Sequence, residues 1–158
     1  MGQIFPVRFV PYDLSGGRER YLSCYREAWR GVHGSLAGLN ETSCWIAAAE
    51  RARRFPGSLL EARWEDRFAG VLSMDDKRER RAGWIAFCFV EEDLRGRGIG
   101  RAMIEKAQER YDARGYRRVR LSVAPGNPAL GFYEKLGFRR VGTEPGAFED
   151  LYVMEKEL

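Results

Sequence analysis

The stretch from Trp84 to Tyr111 constrains this chain more than any other. An unbroken apolar run, Trp84-Ile85-Ala86-Phe87-Cys88-Phe89-Val90, leads into Arg95-Gly96-Arg97-Gly98-Ile99-Gly100-Arg101. Beyond it Ile99, Met103, Ala107 and Tyr111 recur about one helical turn apart. The run predicts a strand covered on both faces. The spacing after the loop predicts a helix from Ile99 to Arg114, stopped by Gly115. A buried strand that enters a helix through glycines makes an anion site. The first amides of a helix lack internal partners, and glycine lets phosphate oxygens approach them. Arg95, Arg97 and Arg101 add charge that a phosphate cannot titrate away.

Two common phosphate loops fail on residue identity. A Walker loop ends Gly-Lys-Ser/Thr, which is absent. A dinucleotide fingerprint reads Gly-x-Gly-x-x-Gly, but counting from Gly96 puts Arg101 at the third glycine, and counting from Gly98 puts Met103 there. That fingerprint also wants an acidic residue on the next strand, whereas Arg118-Val119-Arg120-Leu121-Ser122-Val123 carries none.

Arg95-x-x-Gly98-x-Gly100 resembles the Gln/Arg-x-x-Gly-x-Gly/Ala signature of the GNAT family of N-acetyltransferases, which use acetyl-coenzyme A. A second stretch, Asn127-Pro128-Ala129-Leu130-Gly131-Phe132-Tyr133-Glu134-Lys135-Leu136-Gly137-Phe138, is similar to that family's other cofactor motif. Its alanine is displaced or replaced by Leu130. One helix and one strand fit between the two stretches. The resemblance covers at least Leu59 to Leu158. It implies an α/β (α+β) fold: a mixed, mainly antiparallel sheet flanked by helices on both faces, forming a single acyltransferase domain over residues 1–158.

The resemblance also implies roles. The loop Arg95, Gly96, Arg97, Gly98, Ile99, Gly100 and Arg101 would hold the pyrophosphate of acetyl-coenzyme A. The end of the central strand, Cys88, Phe89 and Val90, would splay from its neighbour and pair with the extended, amide-bearing pantetheine arm. Asn127 would hold the arm from the other side, Phe132 and Tyr133 would border it, and Lys135 would meet the far phosphate. Tyr133 occupies the place of a general acid near the sulfur. A phenol of pKa ~10 protonating a thiolate of pKa ~8.5 is uphill by about 2 kcal/mol, so hydrogen bonding to the sulfur is the milder role. The Val90 amide is a candidate oxyanion donor.

Attack requires a neutral amine, and a lysine-like amine of pKa ~10.4 is neutral in only about one molecule in a few thousand at pH 7. Some group must take its proton. Glu91, which follows the central strand, is the candidate catalytic base. Glu92 and His33 are the others, each with the plainer reading of a solvated or packed side chain. Glu144, Glu149 and Asp150 are placed in a loop able to face a cationic acceptor. A catalytically silent acyl-coenzyme A-binding module is the alternative reading. A nucleic-acid binder is the remote one, because the net charge of +4 is spread among acids.

The rest of the chain supplies expectations for the fold. A length of 158 residues suits one domain. Gln3 to Val10 predicts an edge strand, and Ser15 to Gly31 a helix with Leu22, Tyr25, Ala28, Trp29 and Val32 on its buried face. Thr42 is the expected cap of a second helix carrying Trp45, Ala48, Ala49 and Ala52. Leu60 to Trp64 and Phe68 to Met74 alternate as a hairpin around Glu65-Asp66-Arg67. Asp75 to Arg81 is expected as a solvated charged turn, and Phe138 to Val141 with Leu151 to Lys156 as a last antiparallel pair that could meet a second subunit in a homodimer. Cys24, Cys44 and Cys88 lie in apolar patterns, which suits reduced thiols and a cytoplasmic location. With the single His33 there is no metal-ligand spacing, so no metal is expected. No run is long enough for a membrane span, so no membrane partner is expected.

Overall fold

The computed structural model describes residues 6–79 and 81–158. In chain order the elements are β1 (Arg8–Pro11), α1 (Arg18–His33), α2 (Glu41–Arg54), β2 (Leu59–Trp64), β3 (Arg67–Glu79), β4 (Ala82–Val90), a short 3₁₀ turn (Glu92–Leu94), α3 (Ile99–Ala113), β5 (Arg118–Val123), α4 (Ala129–Lys135), β6 (Arg139–Pro145) and β7 (Asp150–Glu157). The strands form a seven-stranded sheet in the order β1-β2-β3-β4-β5-β7-β6. Neighbours run antiparallel except β4 and β5, which are parallel. This is the mixed, mainly antiparallel sheet the resemblance implied. Of the expected first strand, 3–5 lie outside the described residues, and the strand extends one residue past Val10 to Pro11.

Helices cover both faces of the sheet. On one face α3 buries Ile99, Met103, Ile104, Ala107 and Tyr111 against Leu72, Met74, Ile85, Val119 and Leu121. On the other, Tyr21, Leu22 and Cys24 of α1 and Ala48 of α2 pack with Val71 and Phe89. The buried stripe of α1 is therefore turned about one residue from the expected face, with Tyr25 and Ala28 at its margin. The helix begins later than Ser15 because Asp13 folds back on Ser15, accepting from its amide at 3.0 Å and its hydroxyl at 2.8 Å. It runs through Gly31 and ends at Gly34, whose φ of 78° supplies the left-handed stop.

Two expectations are corrected by local hydrogen bonding. The cap of α2 is Asn40, whose side chain accepts from the Ser43 amide at 3.0 Å, and not Thr42. Asp75 to Glu79 continues β3 instead of forming a solvated turn, with Asp75 opposite Trp84 and Glu79 opposite Ala82. The charges that hid this strand are answered from the helices. Arg54 bonds Asp75 at 2.8 Å, and Arg114 reaches Asp76 at 3.2 Å. The buried Tyr111 hydroxyl accepts from the Asp75 amide at 3.1 Å and lies 2.6 Å from the Trp84 carbonyl oxygen, stitching β3 to β4. At the other end β6 extends through Glu144, so the loop before β7 is only residues 146–149.

Candidate active site

The site begins where two parallel strands part. β4 pairs with β5 at Ala82↔Arg118, Gly83↔Val119 and Trp84↔Arg120, and no further. Beyond that point β4 stays on β3 as far as Gly70↔Val90, while β5 stays on β7 as far as Val123↔Tyr152. The register places Ile85 opposite Met74 and Phe87 opposite Ser73, so Ala86 is an extra residue bulged from the ladder. A bulge of this kind bends its strand and sharpens the twist, which drives β4 away from β5. Gly70 allows the close approach on the β3 side: a Cβ there would stand 2.0 Å from the Phe89 oxygen.

The open edge has a definite set of donors and acceptors. The Glu91 amide donates to Ala69 O at 2.8 Å. In an antiparallel ladder main-chain groups alternate sides. Glu91, Phe89 and Phe87 therefore face β3, and Cys88 and Val90 turn their N–H and C=O groups into the fork. The side chains alternate as well. Phe87 packs on Tyr25 of α1, with ring centroids 4.8 Å apart. Cys88 and Val90 lie on the α3 side with Phe132 and Tyr133.

The loop after β4 carries an amide-rich turn to the mouth of this fork. Leu94 is buried and anchors it. Gly96 and Gly98 have φ of 79° and 85°, and a Cβ built on either meets nothing within 4 Å. They are needed for their dihedrals, and the space before them is open. α3 has no side-chain cap and no acidic residue in its first turn, so Ile99, Gly100 and Arg101 present uncapped amides. Gly100 sits where a Cβ would come 3.2 Å from the Phe132 ring, which brings α4 against this turn. The guanidinium groups diverge. Arg95 donates to Val90 O at 3.0 Å, Arg97 lies 5.0 Å over Trp64, and Arg101 pairs with Glu105 at 3.2 Å.

The short helix α4 closes the other wall. Asn127 accepts from the Ala129 amide, the first of α4, at 2.9 Å through Oδ1, and Pro128 stands between them as the N-cap. Gly137, at φ 97°, ends the helix. Between them Tyr133 packs on Phe132 and Phe138, with Cys88 close enough to influence its charge. Burial holds the Tyr133 phenol well above its ordinary range, and the Cys88 thiol adds to the effect. Burial likewise pushes the Cys88 thiol up to about 12. Both groups therefore stay protonated at neutral pH. Lys135 stands exposed at the end of α4.

On the α1 side, Glu91 is partly buried. Burial raises its carboxyl above the usual range, and the nearby carboxylates Glu27 and Asp93 raise it further. Glu27, on α1, gave no sequence signal, because its relation to Glu91 exists only once α1 crosses β4. Glu92 and Asp93 are exposed. His33, the last residue of α1, lies between the tilted Trp29 ring, 4.4 Å away, and the edge-on Phe148 ring, 4.9 Å away, so it packs the end of α1 against the loop before β7. Phe148 carried no motif either. Glu144 is in β6 and not in the loop, and it accepts a short hydrogen bond from the Ser122 hydroxyl. An open depression of about 350 Å³ is lined by Trp84 of β4, Arg120 of β5, Thr143 and Glu144 of β6 and Val153 of β7. Among the described residues no group of three or more His, Cys, Asp or Glu side chains could hold a metal. Among the described residues no helix is long and apolar enough to cross a membrane.

Residues 18–138 match the acetyltransferase (GNAT) family. The chain is 48% identical over 68 residues to an uncharacterized N-acetyltransferase of Methanocaldococcus jannaschii, a stretch covering 42% of this chain and 29% of that protein. It is 42% identical over 53 residues to an acetyltransferase of Pectobacterium atrosepticum, covering 33% of this chain and 38% of that protein. The match thus spans well under half the length of either relative. The fold is similar to that of the PaiA N-acetyltransferase of Thermoplasma acidophilum, solved in complex with coenzyme A. The TM-score is 0.74 at 17% identity, covering 97% of this chain and 99% of that one.

Proposed function

This chain belongs to the acetyltransferase (GNAT) family, and from that premise we propose that it transfers an acetyl group from acetyl-coenzyme A to a primary amine by direct attack on the thioester. The observation that carries the reading is the fork. An open strand edge at Cys88 and Val90 runs between the uncapped start of α3 and the Tyr133 phenol. An extended arm containing amides suits that edge, and an anionic tail suits the amides of Ile99, Gly100 and Arg101. The empty space before Gly96 and Gly98 is where phosphate oxygens fit.

Acetyl-coenzyme A supplies an activated carbonyl and a sulfur that leaves as thiolate. The chain supplies the surroundings. An outward amide of Cys88 or Val90 donates to the oxygen that gains negative charge. Glu91 accepts the amine's proton, directly or through water, as the carbon–nitrogen bond forms and the carbon–sulfur bond breaks. Its raised carboxyl is a stronger proton acceptor than an ordinary glutamate. Tyr133, held protonated, donates a hydrogen bond to the sulfur. Transfer of its proton would be more uphill than the reference ~2 kcal/mol, because burial raises the phenol further.

The test is release of free coenzyme A thiol across a broad panel of amines. Thiol release that depends on the amine, with acetylated product by mass, supports the reading. Coenzyme A binding without amine-dependent release would favour the silent binding module.

A further inference from the structure

We propose that Arg95 is a positioning residue for the acyl arm and not a ligand of the phosphates, an inference that rests on the coenzyme A reading above. Its place before the glycine turn makes it look like part of the anion site. Its side chain goes the other way. Nε donates to the Val90 carbonyl at 3.0 Å, and the guanidinium lies 5.5 Å over the Phe89 ring. The backbone supports that direction. Leu94 is buried just before it, Arg95 itself is extended at φ −69° and ψ 155°, and Gly96 turns the chain only afterwards.

The Val90 carbonyl is one of the groups that β5 abandons when it leaves β4 at Trp84. An open strand edge presents such groups to any extended partner. Arg95 fills this one. It closes the docking edge at Val90 and leaves the Cys88 N–H, the Cys88 C=O and the Val90 N–H for the arm. It does a second thing to the same peptide group. The carbonyl of the Val90–Glu91 peptide is held by Arg95, and its N–H is held by Ala69 O at 2.8 Å. That peptide plane is clamped from both sides, immediately before the Glu91 side chain departs from it. Arg95 thereby fixes both where the arm stops and where the proton acceptor starts.

The experiment measures binding of two ligands to the wild type, Arg95→Ala and Arg95→Lys. One ligand is coenzyme A. The other is its phosphorylated adenosine diphosphate moiety, which carries the phosphates and lacks the arm. Positioning through Val90 predicts that Arg95→Ala, which leaves the docking edge unfixed, weakens coenzyme A about tenfold and leaves the nucleotide within about twofold. Arg95→Lys, which keeps a donor, recovers most of the loss. Equal weakening of both ligands would make Arg95 a phosphate ligand and overturn the proposal, as would no weakening of either. A wild type that binds neither ligand refutes the coenzyme A reading itself, before any variant is compared.

Discussion

Gly98 separates backbone strain from charge at the proposed anion site. It caps α3 at φ 85°, and a Cβ there meets no atom within 4 Å. A side chain at this position costs only the left-handed conformation, about 1–2 kcal/mol. Asn and Asp tolerate that conformation similarly and have nearly the same shape, so Gly98→Asn and Gly98→Asp should lower the apo melting temperature alike. For a chain of 158 residues that is about 2–4 °C per kcal/mol. They differ in charge. A carboxylate about 4 Å from a phosphate is repelled by roughly 1 kcal/mol in water and roughly 4 kcal/mol near a protein surface. Coenzyme A at about 100 times its Kd stabilises the folded state by about 2.7 kcal/mol. The repulsion is large enough to remove most of that. Differential scanning fluorimetry with and without coenzyme A should therefore show stabilisation retained in Gly98→Asn and largely lost in Gly98→Asp. Equal stabilisation of the two variants would mean that no phosphate lies before Gly98.

Tyr133→Phe should lower turnover by about tenfold, the worth of one hydrogen bond to a charged sulfur, while coenzyme A affinity stays within about twofold by calorimetry. Undiminished turnover would remove the phenol from the reaction. Glu91→Gln tests the base and carries a sign. Because the folded protein raises this carboxyl, the neutral form is favoured, and the stability it contributes is present below about pH 4 and lost as pH rises through the folded-state value. The variant should accordingly melt higher than wild type at pH 7 and equally at pH 4, and it should lose the acid limb of the turnover–pH profile. Tyr111→Phe removes the buried hydroxyl that accepts from the Asp75 amide and donates to the Trp84 carbonyl, which predicts a loss of about 1–3 kcal/mol by chemical denaturation with no direct effect on the site. A variant as stable as wild type would show that the β3–β4 stitch carries no weight.

Much of the glycine turn and of the helix ends beside it was legible in the sequence, because their physics is local. Gly96, Gly98 and the start of α3 lie within a few residues, so backbone dihedrals and helix-end amides could be read from spacing alone. The same holds for Asn127 and Gly137 at the two ends of α4, and for the one-turn recurrence of Ile99, Met103, Ala107 and Tyr111. Charged segments misled where a distant partner neutralised them. Asp75 and Asp76 look like a solvated turn until Arg54 and Arg114 arrive from two different helices. Arg95 reads as part of the anion loop, and only the fold shows that its side chain bonds the Val90 carbonyl, which has no partner on β5.

Residue types and short-range spacing thus determined where chain reversals, helix starts and apolar faces fall, since each depends on groups a turn or two apart. The tertiary structure decided that β7 inserts between β5 and β6, that Ala86 bulges, and that β4 leaves β5 after Trp84. It also decided which carboxylate Glu91 faces and how Trp29, His33 and Phe148 meet. These are contacts between segments far apart in the chain. Their geometry is set by how whole strands twist and how helices pack across them, and no local pattern of residues encodes that.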